Sequence, residues 1–202
     1  MDKKKYFLHV GCGYSNIENT PFDKEEWHEI RYDIDPVKSP DILGSIVNIK
    51  AIKDNSLDAI YSSHNIEHLY SHEVKICLKE FRRVLKENSG FAVITCPDIQ
   101  QICEMIGRGK LNDTAYESVI GAITPFDILY GNSKSIEEGN LHMAHHCGFT
   151  ENSLAKELAE ANFIDIAIMK RAKPPYDIWT VATCFCSKEG QLKALADTYF
   201  PN

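Results

Sequence analysis

The sequence predicts an α/β protein built on a doubly wound, mainly parallel sheet of seven strands that ends in an antiparallel hairpin. Three observations carry this. Residues 6–10, apolar enough for a buried strand, run straight into Gly11-Cys12-Gly13. Strand-length apolar segments then alternate with helical periodicity to about residue 106. Finally, the last two strand-like segments are joined by a loop too short for a crossover helix, so they must pair antiparallel.

The glycine turn comes first. Gly11 and Gly13 leave almost no side chain between the backbone and a ligand. In open α/β sheets ligands lie beyond the carboxyl ends of the strands, which makes this turn the expected place for a nucleotide-type ligand. The pattern is Gly-x-Gly alone, because Asn16 stands where a dinucleotide fingerprint carries a third glycine. Pro21 then interrupts the crossover, which is expected to be irregular. Residues 29–32 read as a second strand, closed by Asp33-Ile34-Asp35-Pro36. A carboxylate at Asp33, beside the glycine turn, can accept hydrogen bonds from both ribose hydroxyls. The plainer use of Asp33 and Asp35 is as turn and cap residues.

Residues 41–44 and 57–61 supply the third and fourth strands, the latter leading to Ser62-Ser63-His64-Asn65. Val74, Cys77, Leu78, Phe81, Val84 and Leu85 recur at intervals of three and four, predicting a helix with Ser71 as N-cap. Residues 91–95 form a fifth strand, stopped by Cys96-Pro97-Asp98, and Ile99, Ile102, Cys103 and Ile106 mark a helix after it. From 107 to about 150 the chain turns polar and glycine-rich, as expected of an inserted cap segment over the site. Thr150 caps a helix through Leu154 and Leu158; residues 163–170 and 179–186 are the closing hairpin, with Cys184 and Cys186 on one face of the last strand. Phe22 and Trp27 are read as packing residues rather than a roof to the site.

Bulk properties narrow the function. The 202 residues suit one domain over 1–202. Asp plus Glu number 29 against 22 Lys plus Arg, and the only basic cluster is Lys3-Lys4-Lys5, which disfavours a nucleic-acid partner. No apolar run suits a membrane span or a secretion signal, and seven scattered cysteines predict a reduced, cytoplasmic protein.

These segments together resemble the class I S-adenosylmethionine-dependent methyltransferases of the small-molecule type, which have a Rossmann-like sheet. The similarity lies in LHVGCG at 8–13, RYDIDP at 31–36, SLDAIYSSHNIEHL at 56–69 and LKEFRRVLKENSGFAVITCPD at 78–98. PFDILYG at 125–131 and GNLHMAHHCGFT at 139–150 are similar to a subset of members of no known reaction. The resemblance implies S-adenosylmethionine as cofactor, with Gly11 and Gly13 approaching its methionine portion and Asp33 holding its ribose. It further implies Ser45 and Ile46 flanking the adenine, and Ser63 and His64 lining the methyl side. Two departures stand out. His9 replaces the acid common two residues before the first glycine, and Ser45 replaces a frequent Asp.

Methyl transfer from a sulfonium needs alignment more than it needs a catalytic group. For a hydroxyl acceptor a histidine base helps, and among His64, His68, His142, His145 and His146 the expected pair is His64 with His142. Glu67 is read as an organiser of hydrogen bonds. No metal is expected, because His145-His146-Cys147 are adjacent rather than spaced as in a closed four-ligand zinc site. The expected reaction is methylation of a small acceptor at oxygen or nitrogen, the partner being that acceptor alone; a homodimer is left open. A nicotinamide-dependent oxidoreductase shares the glycine turn and the ribose acid, and a regulatory module that binds cofactor without turnover is the other alternative.

Overall fold

The computed structural model describes residues 4–201, so Lys3 of the basic cluster lies outside them. Among the described residues nine strands form in chain order: β1 (Lys5–Val10), β2 (Trp27–Asp33), β3 (Ile42–Leu43), β4 (Ala59–Ser63), β5 (Phe91–Pro97), β6 (Tyr116–Ser118), β7 (Gly121–Ile123), β8 (Ile166–Lys170) and β9 (Asp177–Thr183). Seven of them make one sheet in the order β3-β2-β1-β4-β5-β9-β8, while β6 and β7 pair separately. β1 to β5 run parallel; β9 lies antiparallel between β5 and β8, with Trp179 opposite both Thr95 and Met169.

Alternation along β1 divides the core between the two faces of the sheet. Leu8 and Val10 face one side with Ile60, Ala92 and Ile94, beneath α1 (Ser71–Val84) and beside Leu154 and Leu158. Phe7 faces the other side, where Phe22 stacks on it at 4.2 Å and Trp27, Tyr61, Phe91 and Tyr199 close around them. Phe22 and Trp27 are therefore core residues. The crossover after Gly13 contains only a short 3-10 turn, Ile17–Asn19, as Pro21 leads one to expect.

Several boundaries differ from expectation. Ser71 is the first residue of α1 and not its cap: Tyr70 occupies that place, its N–H donating to the Glu73 carboxylate at 3.0 Å. β4 begins at Ala59, since Leu57 makes only an isolated bridge to Leu85. β9 stops at Thr183, so the buried Cys184 and the exposed Cys186 do not share a strand face.

The inserted segment is more regular than its composition suggests. After α2 (Ile99–Gly107) come the β6–β7 hairpin, α3 (Pro125–Tyr130), α4 (Ser133–Glu137) and a 3-10 turn at Leu141–Met143. Ile102, Ile123 and Ile128 give it a small core of its own. It is stapled to the sheet edge where the N–H groups of His146 and Cys147 donate to the Glu67 carbonyl at 2.9 and 3.2 Å. α5 (Glu151–Glu160) follows Thr150, the expected cap, and α6 (Gln191–Tyr199) ends the described chain. Among the described residues no helix is long and apolar enough to cross a membrane.

Phe7 is fully buried at the centre of the aromatic cluster. Phe7→Ala is expected to lower the unfolding free energy by about 3–5 kcal/mol in urea denaturation. A loss below about 1 kcal/mol would show that the cluster collapses around the gap at little cost.

Candidate functional site

Because β1, β2 and β4 are parallel and in register, with Val10 opposite both Tyr32 and Ser62, their carboxyl ends meet at one edge. A cleft of about 280 Å³ opens there. Gly11 and Gly13 both adopt positive φ, at 61° and 54°. They are glycines for different reasons. A Cβ at Gly11 would stand 2.4 Å from Asn65 Cγ, whereas one at Gly13 would meet nothing within 4 Å and would project into open space.

The second strand supplies the tethers of the cleft. Asp33, 8% exposed, accepts from Gly13 N–H at 2.8 Å and from Asp35 N–H at 2.9 Å. Arg31 holds the surrounding loops by donating to the carbonyls of Gly13, Ser15 and Ser39. Asp35 caps a short turn through Val37 N–H at 2.9 Å, the plainer of its two expected uses. His9, at the position where the resemblance leads one to expect an acid, has its own carboxylate: Nδ1 lies 2.6 Å from Glu29 Oε1, and Glu29 Oε2 accepts from Ile17 N–H.

Gly44, Ser45 and Ile46 line the far wall. Gly44 is obligatory, because a Cβ there would sit 2.2 Å from the Tyr32 hydroxyl oxygen, which itself donates to the Ser45 carbonyl. The loop behind this wall is pinned by Glu80, which accepts from Ile49 N–H at 2.7 Å and from Arg83 at 2.7 and 2.8 Å.

His64 stands at the inner end of the cleft with φ 46°, in the left-handed region. Nε2 lies 3.4 Å from Asp177 Oδ2 and Nδ1 lies 3.5 Å from Glu67 Oε1. Burial opposes charge on this ring, but the two carboxylates outweigh it and hold its pKa up at about 9. Asp177 is buried, which works against its charge, yet His64 and a bidentate Arg171 at 2.6 Å bring it down to about 2. His64 therefore keeps its proton at neutral pH, an environment that does not suit the expected role of base.

Behind His64 lies a second, smaller cavity of about 140 Å³, walled by Pro97, Tyr116, Asp127, Asn132 and His145. His64, His68 and Met143 border both spaces.

The structure thus brings Gly11, Gly13, Asp33, Ser45, Ile46, His64 and His142 to one cleft. Ser63 is not among its walls: its hydroxyl pairs with Thr95 at 3.0 Å, turned along the sheet. His142 sits on the exposed turn after α4, and no hydrogen bond or ion pair among the described residues holds its ring. Sequence reading missed Leu69 and Met143 as cleft residues, named His68 only as a candidate base, and gave Asn65, placed at the ligand-facing end, no role. Asn65 carried a signal, standing directly after the fourth strand, where the resemblance places ligand contacts through Ser63 and His64.

Comparison with known proteins agrees with this fold. Residues 8–93 match the family model described as a methyltransferase domain. The PH0226 protein of Pyrococcus horikoshii superposes with a TM-score of 0.61 at 16% identity, covering 91% of this chain and 83% of that one. An S-adenosylmethionine-dependent methyltransferase from Archaeoglobus fulgidus gives 0.57 at 16%, covering 89% and 86%. The 1,6-didemethyltoxoflavin-N1-methyltransferase of Burkholderia thailandensis, with 1,6-didemethyltoxoflavin and S-adenosylhomocysteine bound, gives 0.57 at 13%, covering 89% and 71%. No curated protein matches the sequence. The matched segment and the fold make the chain similar to S-adenosylmethionine-dependent methyltransferases.

The cleft fits S-adenosylmethionine. Asn65 Nδ2 is buried beside Gly11 with no partner, a donor in want of an acceptor. Asp33 has used two of its roughly four acceptor positions, leaving the others for hydroxyls.

Arg83 holds Glu80 below the ordinary carboxylate value against partial burial, helped by Ile49 N–H. A depressed carboxylate adds stability that is whole above its unfolded pKa and is lost as pH falls through the folded one. The wild type is therefore expected to lose melting temperature more steeply below the ordinary value of 4.5 than Glu80→Gln does. Equal slopes in scans from pH 6 downward would mean that the pair contributes nothing to holding the loop.

Proposed function

We propose that this chain methylates a small-molecule acceptor at oxygen or nitrogen, drawing the methyl group from S-adenosylmethionine. One observation carries the reading: the cofactor cleft and the second cavity meet at His64, His68 and Met143, a shared wall at which donor and acceptor can be brought together. The size of the second cavity supports a small acceptor. So does the fold likeness to an enzyme whose substrate is 1,6-didemethyltoxoflavin. An excess of seven negative charges supports it over a nucleic acid, and seven free thiols, four of them buried, support a reducing cytoplasmic setting.

The cofactor, when bound, supplies a methyl carbon made electrophilic by its sulfonium. Everything else falls to the chain. Asp33 accepts the ribose hydroxyls with the acceptor positions that Gly13 and Asp35 leave free. Gly11 and Gly13 admit the methionine portion against bare backbone, and Asn65 Nδ2 donates to it. Ser45 and Ile46 face the adenine. His64, fixed between Asp177 and Glu67, orients the acceptor by donating a hydrogen bond, so that alignment provides most of the acceleration. The acceptor's proton goes to His142, which lines the cofactor cleft next to the shared-wall residue Met143 and whose ring no carboxylate occupies.

Asp33→Ala is expected to weaken S-adenosylhomocysteine binding by about 1.5–3 kcal/mol in calorimetric titration. Unchanged affinity would assign the ribose to another acid, and heat with NADH but none with S-adenosylhomocysteine would replace the reading with oxidoreduction.

In an acceptor screen that follows S-adenosylhomocysteine formation, His142→Ala is expected to cut turnover by about 10²- to 10⁴-fold with cofactor affinity preserved. Parallel loss of both would make His142 a wall of the cleft and no base.

A further inference from the structure

We propose that Glu67, His68 and His145 form a binding site for a divalent transition-metal ion, zinc by its donor set, in the wall between the two cavities. One ligand atom from each of these residues lies within 4.8 Å of the others, a spread that an ion draws in, since zinc ligands at 2.0–2.2 Å stand about 3.4 Å apart.

Glu67 is the first reason. Its side chain is 1% exposed, and neither carboxylate oxygen accepts a hydrogen bond. A buried acid left this way is costly. The nearest cationic atom, His64 Nδ1, stays 3.5 Å from Oε1 and leaves Oε2 untouched.

The histidines are the second reason. His68 Nδ1 lies 3.1 Å from the Ala144 carbonyl, and His145 Nδ1 lies 2.8 Å from the Ile128 carbonyl. A carbonyl oxygen can only accept, so both Nδ1 atoms carry the hydrogen and both Nε2 atoms offer a lone pair. Metal-bound histidines are fixed in this way, the second nitrogen donating to a backbone carbonyl.

The frame is already rigid. The N–H groups of His146 and Cys147 clamp the segment carrying His145 onto the Glu67 carbonyl, and His145 N–H donates to the Tyr130 carbonyl at 3.1 Å. The ligands come from two distant segments, which is why the spacing of residues 145–147 gave no sign of them. Two imidazoles and a carboxylate are a borderline-soft set that suits zinc or ferrous iron over magnesium or calcium. Three protein ligands leave a position open, as in catalytic rather than structural sites. Glu67, His68 and His145 all border the second cavity, so that position can take an acceptor oxygen, nitrogen or sulfur; this last step alone rests on the methyl-transfer reading.

The test is titration of chelator-stripped full-length protein with zinc chloride, followed by calorimetry, with S-adenosylhomocysteine titrated separately. A site of this donor set takes zinc more tightly than ferrous iron, so zinc tests it whichever ion is native. One zinc per chain is expected. Its affinity should fall in His145→Ala and in Glu67→Gln by more than the roughly 10- to 100-fold that loss of an outer partner costs. Cys103→Ser/Cys186→Ser, which removes the exposed thiols, should bind as the wild type does. Cobalt added to the wild type should give visible absorption of an ordered nitrogen–oxygen site, a readout that survives if a variant fails to fold. No stoichiometric binding, or binding indifferent to both ligand variants, overturns the metal site. S-adenosylhomocysteine binding that persists in that case leaves the methyltransferase reading standing.

Discussion

The parallel pairing of β1 with β2 and β4 is the constraint on which the site depends. Parallel neighbours in register finish level, so the glycine turn, Asp33 and His64 arrive at one edge without any side chain having to search for the others. What remains is to hold three loops apart. Arg31 and Asp33 do this from β2, one donating to carbonyls of the neighbouring turns and the other accepting from N–H groups. The cleft is thus shaped chiefly by backbone, and its glycines are forced at defined points: Gly11 by the Asn65 side chain, Gly44 by the Tyr32 hydroxyl.

The inner end of the cleft follows a different logic, that of buried charge. Asp177 and Glu67 are each 99% buried, and charges so placed persist only when compensated. Asp177 is fully supplied by Arg171, Trp179 Nε1 at 3.0 Å and His64. Glu67 is not. His64 serves both acids from one ring, which accounts for a bulky residue tolerating φ 46°. Imidazolium between two carboxylates is a fixed charge more than a proton carrier.

Most of the sheet was legible in the sequence because its signals are local: apolar runs ended by Gly11, Pro36 and Pro97, and the 74–85 periodicity of α1. The hairpin of β8 and β9 followed from loop length alone. Ser71 misled because a serine beside an apolar repeat is the commonest cap, while the deciding contact is the reach of Glu73 back to Tyr70. Residues 191–199 escaped notice, since a short helix at the end of the chain announces itself only through the packing of Tyr199 on Phe22 and Phe91. Within the site, residues fixed by strand ends were readable. Asn65 was within reach, but the grouping of Glu67 and His68 with His145 depends on how the insertion folds back, and no periodicity records that.

The division between the two halves has a physical consequence. One wall of the cofactor cleft is set by strand ends and turns within residues 8–93, the span that matches the methyltransferase domain, and the inserted segment closes it with residues 140–143 and His146. The second cavity draws Tyr116, Asp127, Asn132 and His145 from the inserted segment, whose small core of Ile102, Ile123 and Ile128 is separate from the sheet's. Side chains there can change without disturbing Arg31, Asp33, Gly11 or Gly13, because among the described residues no hydrogen bond joins these four to the inserted segment. The exceptions are His64, His68 and Met143, which border both spaces. A substitution at any of these three alters the shape of both spaces at once.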